Sequence, residues 1–302
     1  MAATNNPVQF GFRLGGSPPF DRAVAVCQAA EAAGFTTLSF MDRPPDPVLE
    51  GWTFATAIGA RTEKLKLTFA TLNVPFRNPA LTAKMAATLD FITGGGRVEL
   101  TLGAGGQPNV KHYTSYGIPF GDAGARFDGL RDAVAIMRGL WSNETFSYSG
   151  PVYQVEDASI GVRPASGAIP IWIGALGPRM IRYTGRHADG WMKNGGWPGS
   201  IEELRGLVQI LDSSAEKAGR NPASIRRVLN GAAAIGEGST EVQIPGPFGM
   251  APPNIAGTAD QILETVETYR NEGIDTFHLG FQPDKLIEQL QQFGEEVIAK
   301  IH

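Results

Sequence analysis

The chain offers few groups that could move a proton, and the most prominent pair is an unusual one. Residues 40–45 read Phe-Met-Asp-Arg-Pro-Pro, which sets the carboxylate of Asp42 beside the guanidinium of Arg43. An arginine stays protonated at neutral pH, so Arg43 cannot act as a general base. It can bind an anionic group or polarise a carbonyl or imine, and the two residues can equally form a plain structural loop pair. Of the four histidines, His302 is terminal, His187 sits in a helical stretch and His278 lies inside a strand pattern, where packing is the common role. His112, in a glycine-rich region with Tyr113 and Tyr116 beside it, is the best candidate for a proton donor. No spacing of His, Asp and Glu resembles a metal site, and no Ser-His-Asp arrangement stands out. The single cysteine, Cys27, excludes an intramolecular disulfide. It falls in an Ala-rich helical stretch, 23–33, and reads as a buried small hydrophobe.

These residues must be positioned by a regular alternation of elements. Short apolar, β-rich runs occur at 8–14, 37–41, 65–72, 98–102, 171–174, 190–193, 228–235 and 276–281. Helical patterns fall between them at 21–33, 53–61, 78–91, 123–140, 179–186, 200–218, 259–271 and 284–301. Eight strands, each followed by a helix, call for a parallel sheet closed into a barrel. Nearly continuous apolar runs suit strands buried on both faces. Gly34 and Gly273 occupy matching places before strands two and eight, each reading as the glycine that ends a helix. Two insertions break the beat. Residues 146–155, after strand four, read as a hairpin turning at Ser149-Gly150-Pro151. Residues 237–257, after strand seven, are rich in Gly and Pro and read either as a lid over the catalytic end or as a disordered surface loop. No second domain begins anywhere, so 1–302 is expected to be one domain.

Composition agrees with a globular protein. Of 302 residues, 42% are hydrophobic and 19% charged, with 38 Gly and 21 Pro supplying turns. A net charge of −4 lacks the basic excess of a nucleic-acid binder. The polar N-terminus has no apolar core of a signal peptide, and no apolar run is long enough to span a bilayer. A cytoplasmic location, with no nucleic-acid or membrane partner, is therefore expected.

Three segments carry a more specific message. Residues 171–191 run Ile-Trp-Ile-Gly-Ala-Leu-Gly-Pro-Arg and continue to Ala-Asp-Gly-Trp. Residues 63–80 carry a strand and the loop Thr-Leu-Asn-Val-Pro-Phe-Arg-Asn-Pro. Residues 98–107 end Leu-Gly-Ala-Gly-Gly-Gln, followed by Tyr-Gly-Ile-Pro-Phe at 116–120 and by Arg126. Together they resemble the bacterial-luciferase-like family of flavin and deazaflavin oxidoreductases over nearly the whole chain. The Gly177-Pro178 helix opening is closer to the branch that uses coenzyme F420 than to the FMN monooxygenases. The resemblance implies an α/β fold, a single (β/α)8 TIM barrel with insertions after strands four and seven. It also implies a homodimer.

The same resemblance implies the cofactor contacts. Gly174, Ala175, Leu176, Gly177, Pro178 and Arg179 would grip a phosphate. Glycine lets amides approach an anion, and a free helix start with Arg179 and Arg182 nearby adds positive potential. Ala70, Thr71 and Leu72 would lie against the ring system, with a non-proline cis peptide near Thr71-Leu72. Gly103, Ala104, Gly105 and Gln107 would let the backbone lie beside the same ring. The cofactor implied is F420, with FMN as the alternative.

One corner departs from the family. Many of its deazaflavin dehydrogenases carry Asp-His at the end of strand two, the histidine serving as acid or base. Asp42 matches, and Arg43 replaces the histidine. Oxidising an alcohol requires a base for the hydroxyl proton, so the departure favours reduction of an activated C=C or C=N bond in a small molecule. The candidate catalytic residues are thus Asp42, Arg43 and His112. Competing expectations are an FMN-dependent monooxygenase and a non-catalytic flavin-binding barrel. A sugar-phosphate isomerase on the same barrel lacks the usual phosphate loop after strands seven and eight.

Overall fold

A computed structural model describes residues 6–43, 46, 48–106, 110–194, 196–246 and 249–301. Its strands are β1 (Gln9–Arg13), β2 (Thr37–Phe40), β3 (Lys66–Phe69), β4 (Leu72–Asn73), β5 (Leu100–Gly103), β6 (Phe146–Ser149) and β7 (Gln154–Ala158). They continue as β8 (Ile171–Ala175), β9 (Gly190–Lys193), β10 (Arg226–Ile235), β11 (Ile244–Gly246), β12 (Gly249–Ala251), β13 (Ile255–Gly257) and β14 (Thr276–Gly280). The helices are α1 (Phe20–Ala32), α2 (Gly51–Gly59), α3 (Pro79–Ile92), α4 (Val110–Thr114), α5 (Ala123–Ser142), α6 (Pro178–His187), α7 (Ile201–Glu216), α8 (Ala259–Asn271) and α9 (Leu286–Glu296). Every strand and helix expected from the sequence is present, and the alternation is that of a (β/α)8 chain. The coordinates divide into two compact units, residues 1–39 with 172–302 and residues 40–171.

In the first unit the strands run β2-β1-β14-β10-β9-β8, all parallel. Alternation gives the sheet two chemically different faces. One face presents Phe10, Phe12, Phe277 and Leu279, all fully or almost fully buried. Phe10 stacks on Phe277 at 5.7 Å and meets Phe293 of α9 edge-on at 5.3 Å. Burying each such ring contributes about 1.5–3 kcal/mol, so this aromatic seam fixes the strands against α1 and α9. The other face carries polar groups. Register pairs Asn230 with His278, His278 with Gly11, and Arg13 with Ser39. Gly34 and Gly273 both sit at φ +88°, the left-handed geometry expected of glycines that end helices.

In the second unit, Leu67 bridges Val98 and Leu72–Asn73 pairs in parallel with Leu102–Gly103. Arg97 ties the strand starts together. Its guanidinium donates to the carbonyls of Leu65, Gly59 and Thr62 and to the Thr62 hydroxyl. Trp52 of α2 stacks on Phe69 of β3 at 5.1 Å, and the Trp141 indole donates to the Ala83 carbonyl at 3.0 Å.

Both insertions carry strands over their described residues. The first is the expected hairpin, β6 antiparallel to β7. The Asp132 carboxylate holds its turn by accepting from the Tyr148 hydroxyl and the amides of Val152 and Tyr153. The second is not an irregular loop over its described residues: β11 pairs with β12, and β13 adds in parallel to β10. Ile244 is buried there against Ala232 and Ala234. The apolar residues hidden among its Gly and Pro supply that anchoring. Cys27 is buried, and burial followed by the nearby Glu31 pushes its thiol up to about 12. No helix among the described residues is long and apolar enough to cross a membrane.

Candidate active site

The second unit gathers most of the expected site residues around Asp42. Its carboxylate does not face Arg43. Arg77 grips it with both terminal nitrogens, Nη2 on Oδ1 at 2.9 Å and Nη1 on Oδ2 at 3.0 Å, and the Asn73 amide donates to Oδ2 at 2.8 Å. Arg77 also reaches Glu50 at 2.7 Å, and Glu50 caps α2 by accepting from the amides of Trp52 and Thr53. The Asn73 side chain donates to the Asp42 carbonyl and accepts from the Tyr113 hydroxyl at 3.0 Å. Burial pushes the Asp42 carboxyl above the ordinary carboxylate range, against the pull of Arg77 and the Asn73 amide. Burial lowers Arg77, but Asp42 and Glu50 outweigh it and hold the guanidinium above its usual value. Burial and then Asp42 raise the Tyr113 hydroxyl. Tyr113 is sandwiched between Phe76 and Phe120, at 4.6 and 4.9 Å. Phe120 in turn carries the Arg126 guanidinium 4.2 Å above its ring.

Arg43 and His112 meet through a residue the sequence did not single out. Asp46 lies 2.8 Å from Arg43 Nε and 3.4 Å from His112 Nε2. All three are partly buried. Asp46 follows two prolines, and its only sequence signal was an acid four residues after Asp42. Arg77 and Asn73 lay inside a segment read for its backbone alone.

The strand-three end carries a cis peptide at Ala70-Thr71, one residue before the expected Thr71-Leu72. Ala70 and Thr71 are half-buried, and Leu72 is packed into the core. The glycines of strand four lie close against protein side chains. A Cβ on Gly103 would overlap the Thr71 hydroxyl, and one on Gly105, at φ +80°, would overlap the Tyr113 hydroxyl. Both therefore make room first for protein side chains. Ala104 is half-buried, and Gln107 lies outside the described residues.

In the first unit, the loop 174–179 leads into α6. The Ala175 carbonyl is fixed by the Trp191 indole at 3.1 Å and by the Asn194 amide at 3.2 Å. Beyond it Leu176, Gly177, Pro178 and Arg179 are exposed. Gly177 caps α6 without a side-chain bond, Pro178 opens the helix, and its first turn holds no acid. A Cβ at Gly177 would meet nothing within 4 Å. Free amides at an uncapped, acid-free helix start suit an anion. The residues present thus fit the phosphate of a flavin or deazaflavin.

The polar face of the same unit is the feature sequence reasoning passed over. His278 is fully buried, and among the described residues neither ring nitrogen has a hydrogen-bond partner. Ser39 Oγ and Asn230 Oδ1 are likewise buried without partners. Burial and then Arg13 lower His278 to about 3, so it is neutral at physiological pH. The period-two register of three strands was the signal that could have found this cluster.

The luciferase-like monooxygenase model matches residues 5–244. An F420-dependent glucose-6-phosphate dehydrogenase from Nocardia farcinica is 38% identical over 174 residues, 57% of this chain and 51% of its own length. A protein of Mycobacterium tuberculosis with no assigned activity is 28% identical over 307 residues, 92% of this chain and 95% of its own. Among solved structures, an F420-dependent secondary alcohol dehydrogenase with an F420-acetone adduct has a TM-score of 0.81 at 19% identity, covering 97% of this chain and 99% of its own. The coenzyme F420-dependent tetrahydromethanopterin reductase from Methanopyrus kandleri also scores 0.81, at 21% identity, over 98% and 100%. These likenesses show the fold, an α/β (β/α)8 barrel of the luciferase-like kind. With the family model spanning most of its length, the chain belongs to the luciferase-like monooxygenase family.

Proposed function

We propose that this chain is a coenzyme F420-dependent oxidoreductase that reduces an activated C=C or C=N bond in a small organic molecule. The observation that carries the direction of the reaction is the commitment of Asp42. Both its oxygens are held by Arg77 and one also by the Asn73 amide, while Arg43 stands where a basic histidine would be needed. A carboxylate so engaged cannot take a hydroxyl proton without breaking a buried ion pair. The likeness to F420-dependent dehydrogenases and to an F420-dependent reductase supports the choice of cofactor.

When bound, F420 supplies a hydride at the C5 carbon of its deazaflavin ring. The amides opening α6, with Gly177 and Arg179, would hold its phosphate. Ala70, Thr71 and Leu72, with Gly103, Ala104 and Gly105, would flank the ring. Asp46 steadies Arg43 and His112 side by side. Arg43 would draw electron density from the substrate's polar end, and His112 would deliver the proton at Nε2.

Titrating the purified protein with F420 and with FMN, followed by fluorescence quenching, tests the cofactor. Reduced F420 offered with enones and imines should be oxidised, while oxidised F420 with simple alcohols should stay oxidised. Tight FMN binding with reduced-flavin-dependent O₂ uptake would overturn the reading. F420 binding without turnover across the panel would leave a non-catalytic barrel instead.

A further inference from the structure

Arg13, partly buried, differs from three other arginines that are partly or fully buried. Arg77 faces two carboxylates, Arg227 faces Asp212, and Arg97 donates to three carbonyls and a hydroxyl. Among the described residues Arg13 makes a single hydrogen bond, Nη2 to the Gly231 carbonyl at 2.7 Å. No carboxylate among the described residues lies within ion-pair distance of it, although burial holds its pKa below the usual value. Its side chain crosses β14 at Gly280, where a Cβ would come within 2.9 Å of Nη2. Gly231 takes one of the two Nη2 hydrogens, so one of the two forked edges of the guanidinium is left whole. Beside it stand Ser39, its register partner on β2, and His278, stacked at 6.3 Å on Trp172. Asn230 follows on β10. Among the described residues the Ser39 hydroxyl, the Asn230 carbonyl oxygen and both His278 nitrogens have no partner. A partly buried cation without a counter-ion is costly to fold around. Three orphaned polar groups on the same face add to that cost.

We propose that this face of the first unit binds the carboxylate of the substrate, paired with the open fork of Arg13 and flanked by Ser39 and His278. A planar two-oxygen anion matches a guanidinium fork, and a neutral imidazole adds no competing charge. The substrate class is then an unsaturated carboxylic acid or an imino acid. The word substrate rests on the function proposed above, whereas the anion site rests on the first unit alone.

The test uses the intact protein without cofactor, with tryptophan fluorescence as the readout, since Trp172 stacks on His278. The probes are an α,β-unsaturated carboxylate, its methyl ester and a phosphate monoester of similar size. The wild type should bind the carboxylate at least about tenfold more tightly than the ester or the phosphate monoester, because the neutral ester forfeits the charge pair. Arg13→Gln should abolish the preference over the ester, and Arg13→Lys should restore part of it. Equal binding of carboxylate and ester to the wild type overturns the proposal, and needs no variant to fold. Tighter binding of the phosphate monoester overturns the carboxylate assignment, and unchanged discrimination in Arg13→Gln overturns the role of Arg13. If the carboxylate preference holds but FMN proves to be the cofactor, the anion site stands and the F420 reading falls.

Discussion

The two units each bury an arginine in a polar corner, and the corners are built in opposite ways. Around Arg77 every strong group is spoken for: Asp42, Glu50, the Asn73 amide and the Tyr113 hydroxyl close a network. Around Arg13 the groups face one another with few bonds, and His278, Ser39 and Asn230 keep unpartnered atoms. A saturated buried network rigidifies a scaffold, and an unsaturated one stores the cost that a ligand can remove. By that criterion the corner whose sequence advertised catalysis serves first as framework. The corner that went unremarked has the open valences.

The largest effect should follow from breaking the saturated corner. Asp42→Ala strips Arg77 of its forked partner and leaves a partly buried charge with Glu50 alone. A loss of about 3–5 kcal/mol is expected, read by urea unfolding at neutral pH. A loss under about 1 kcal/mol would mean that the network is not structural and that Asp42 is available for chemistry. A step smaller is Gly103→Ala. Its new Cβ would overlap the Thr71 hydroxyl and approach the Thr71 Cβ at 3.0 Å, and that Cβ moves only with the main chain. Overpacking of this kind costs about 1–3 kcal/mol. A melting temperature equal to wild type would show that the segment at Ala70-Thr71 yields freely.

The sequence made the frame legible and the wiring much less so. The parallel strands could be read because they are largely buried on both faces, which leaves apolar-rich runs such as Ile171-Trp172-Ile173. The helix start at Pro178 and the terminating glycines 34 and 273 were readable because backbone geometry demands those residue types. Side-chain pairing has no such periodicity. Asp42 and Arg43 are adjacent in sequence, yet Asp42 pairs with Arg77, 35 residues on, because consecutive residues in an extended segment point apart. Arg43 instead turns to Asp46. In the 237–257 insertion the short strands were hidden by its Gly and Pro content, since a few apolar residues such as Ile244 suffice to dock them. Arg13 carries no motif in the sequence, where it is a lone charge near the end of the first apolar run. Only the register of β1, β14 and β10 places it over Gly280 and beside His278.

The open corner makes a pH prediction of intermediate size. His278 titrates at about 3 in the folded chain, below the roughly 6.5 of an unfolded histidine. Between those values the unfolded chain holds a proton that the native one lacks, so stability falls as pH drops from about 6.5 toward 3, by at most about 1.4 kcal/mol per pH unit. Above pH 6.5 the effect vanishes. Between about pH 6.5 and 5 the wild type should therefore lose up to about 2 kcal/mol more than His278→Gln in urea unfolding. Parallel curves would place a proton, and hence an accepting partner, on His278 in the native state.

The smallest change to stability, and the finest discriminator, is Gly280→Ala. Its Cβ would press on Arg13 Nη2, the far end of a flexible side chain that can swing aside. Gly280 is not in the left-handed region, so an alanine there carries no backbone penalty and the stability change should stay below about 1 kcal/mol. The guanidinium, however, loses its route across β14 to the Gly231 carbonyl. Carboxylate affinity, read by tryptophan fluorescence, should then fall severalfold with the melting temperature almost unmoved. The contrast with Gly103→Ala is the point of making both. In the saturated corner an added methyl group is felt as lost stability, because no neighbour can leave its partner. In the open corner the same methyl group should be felt as lost binding, because the neighbour it displaces is held by one bond and is waiting for another. An affinity unchanged in Gly280→Ala would show that Arg13 reaches its anion by some other path than the one across Gly280.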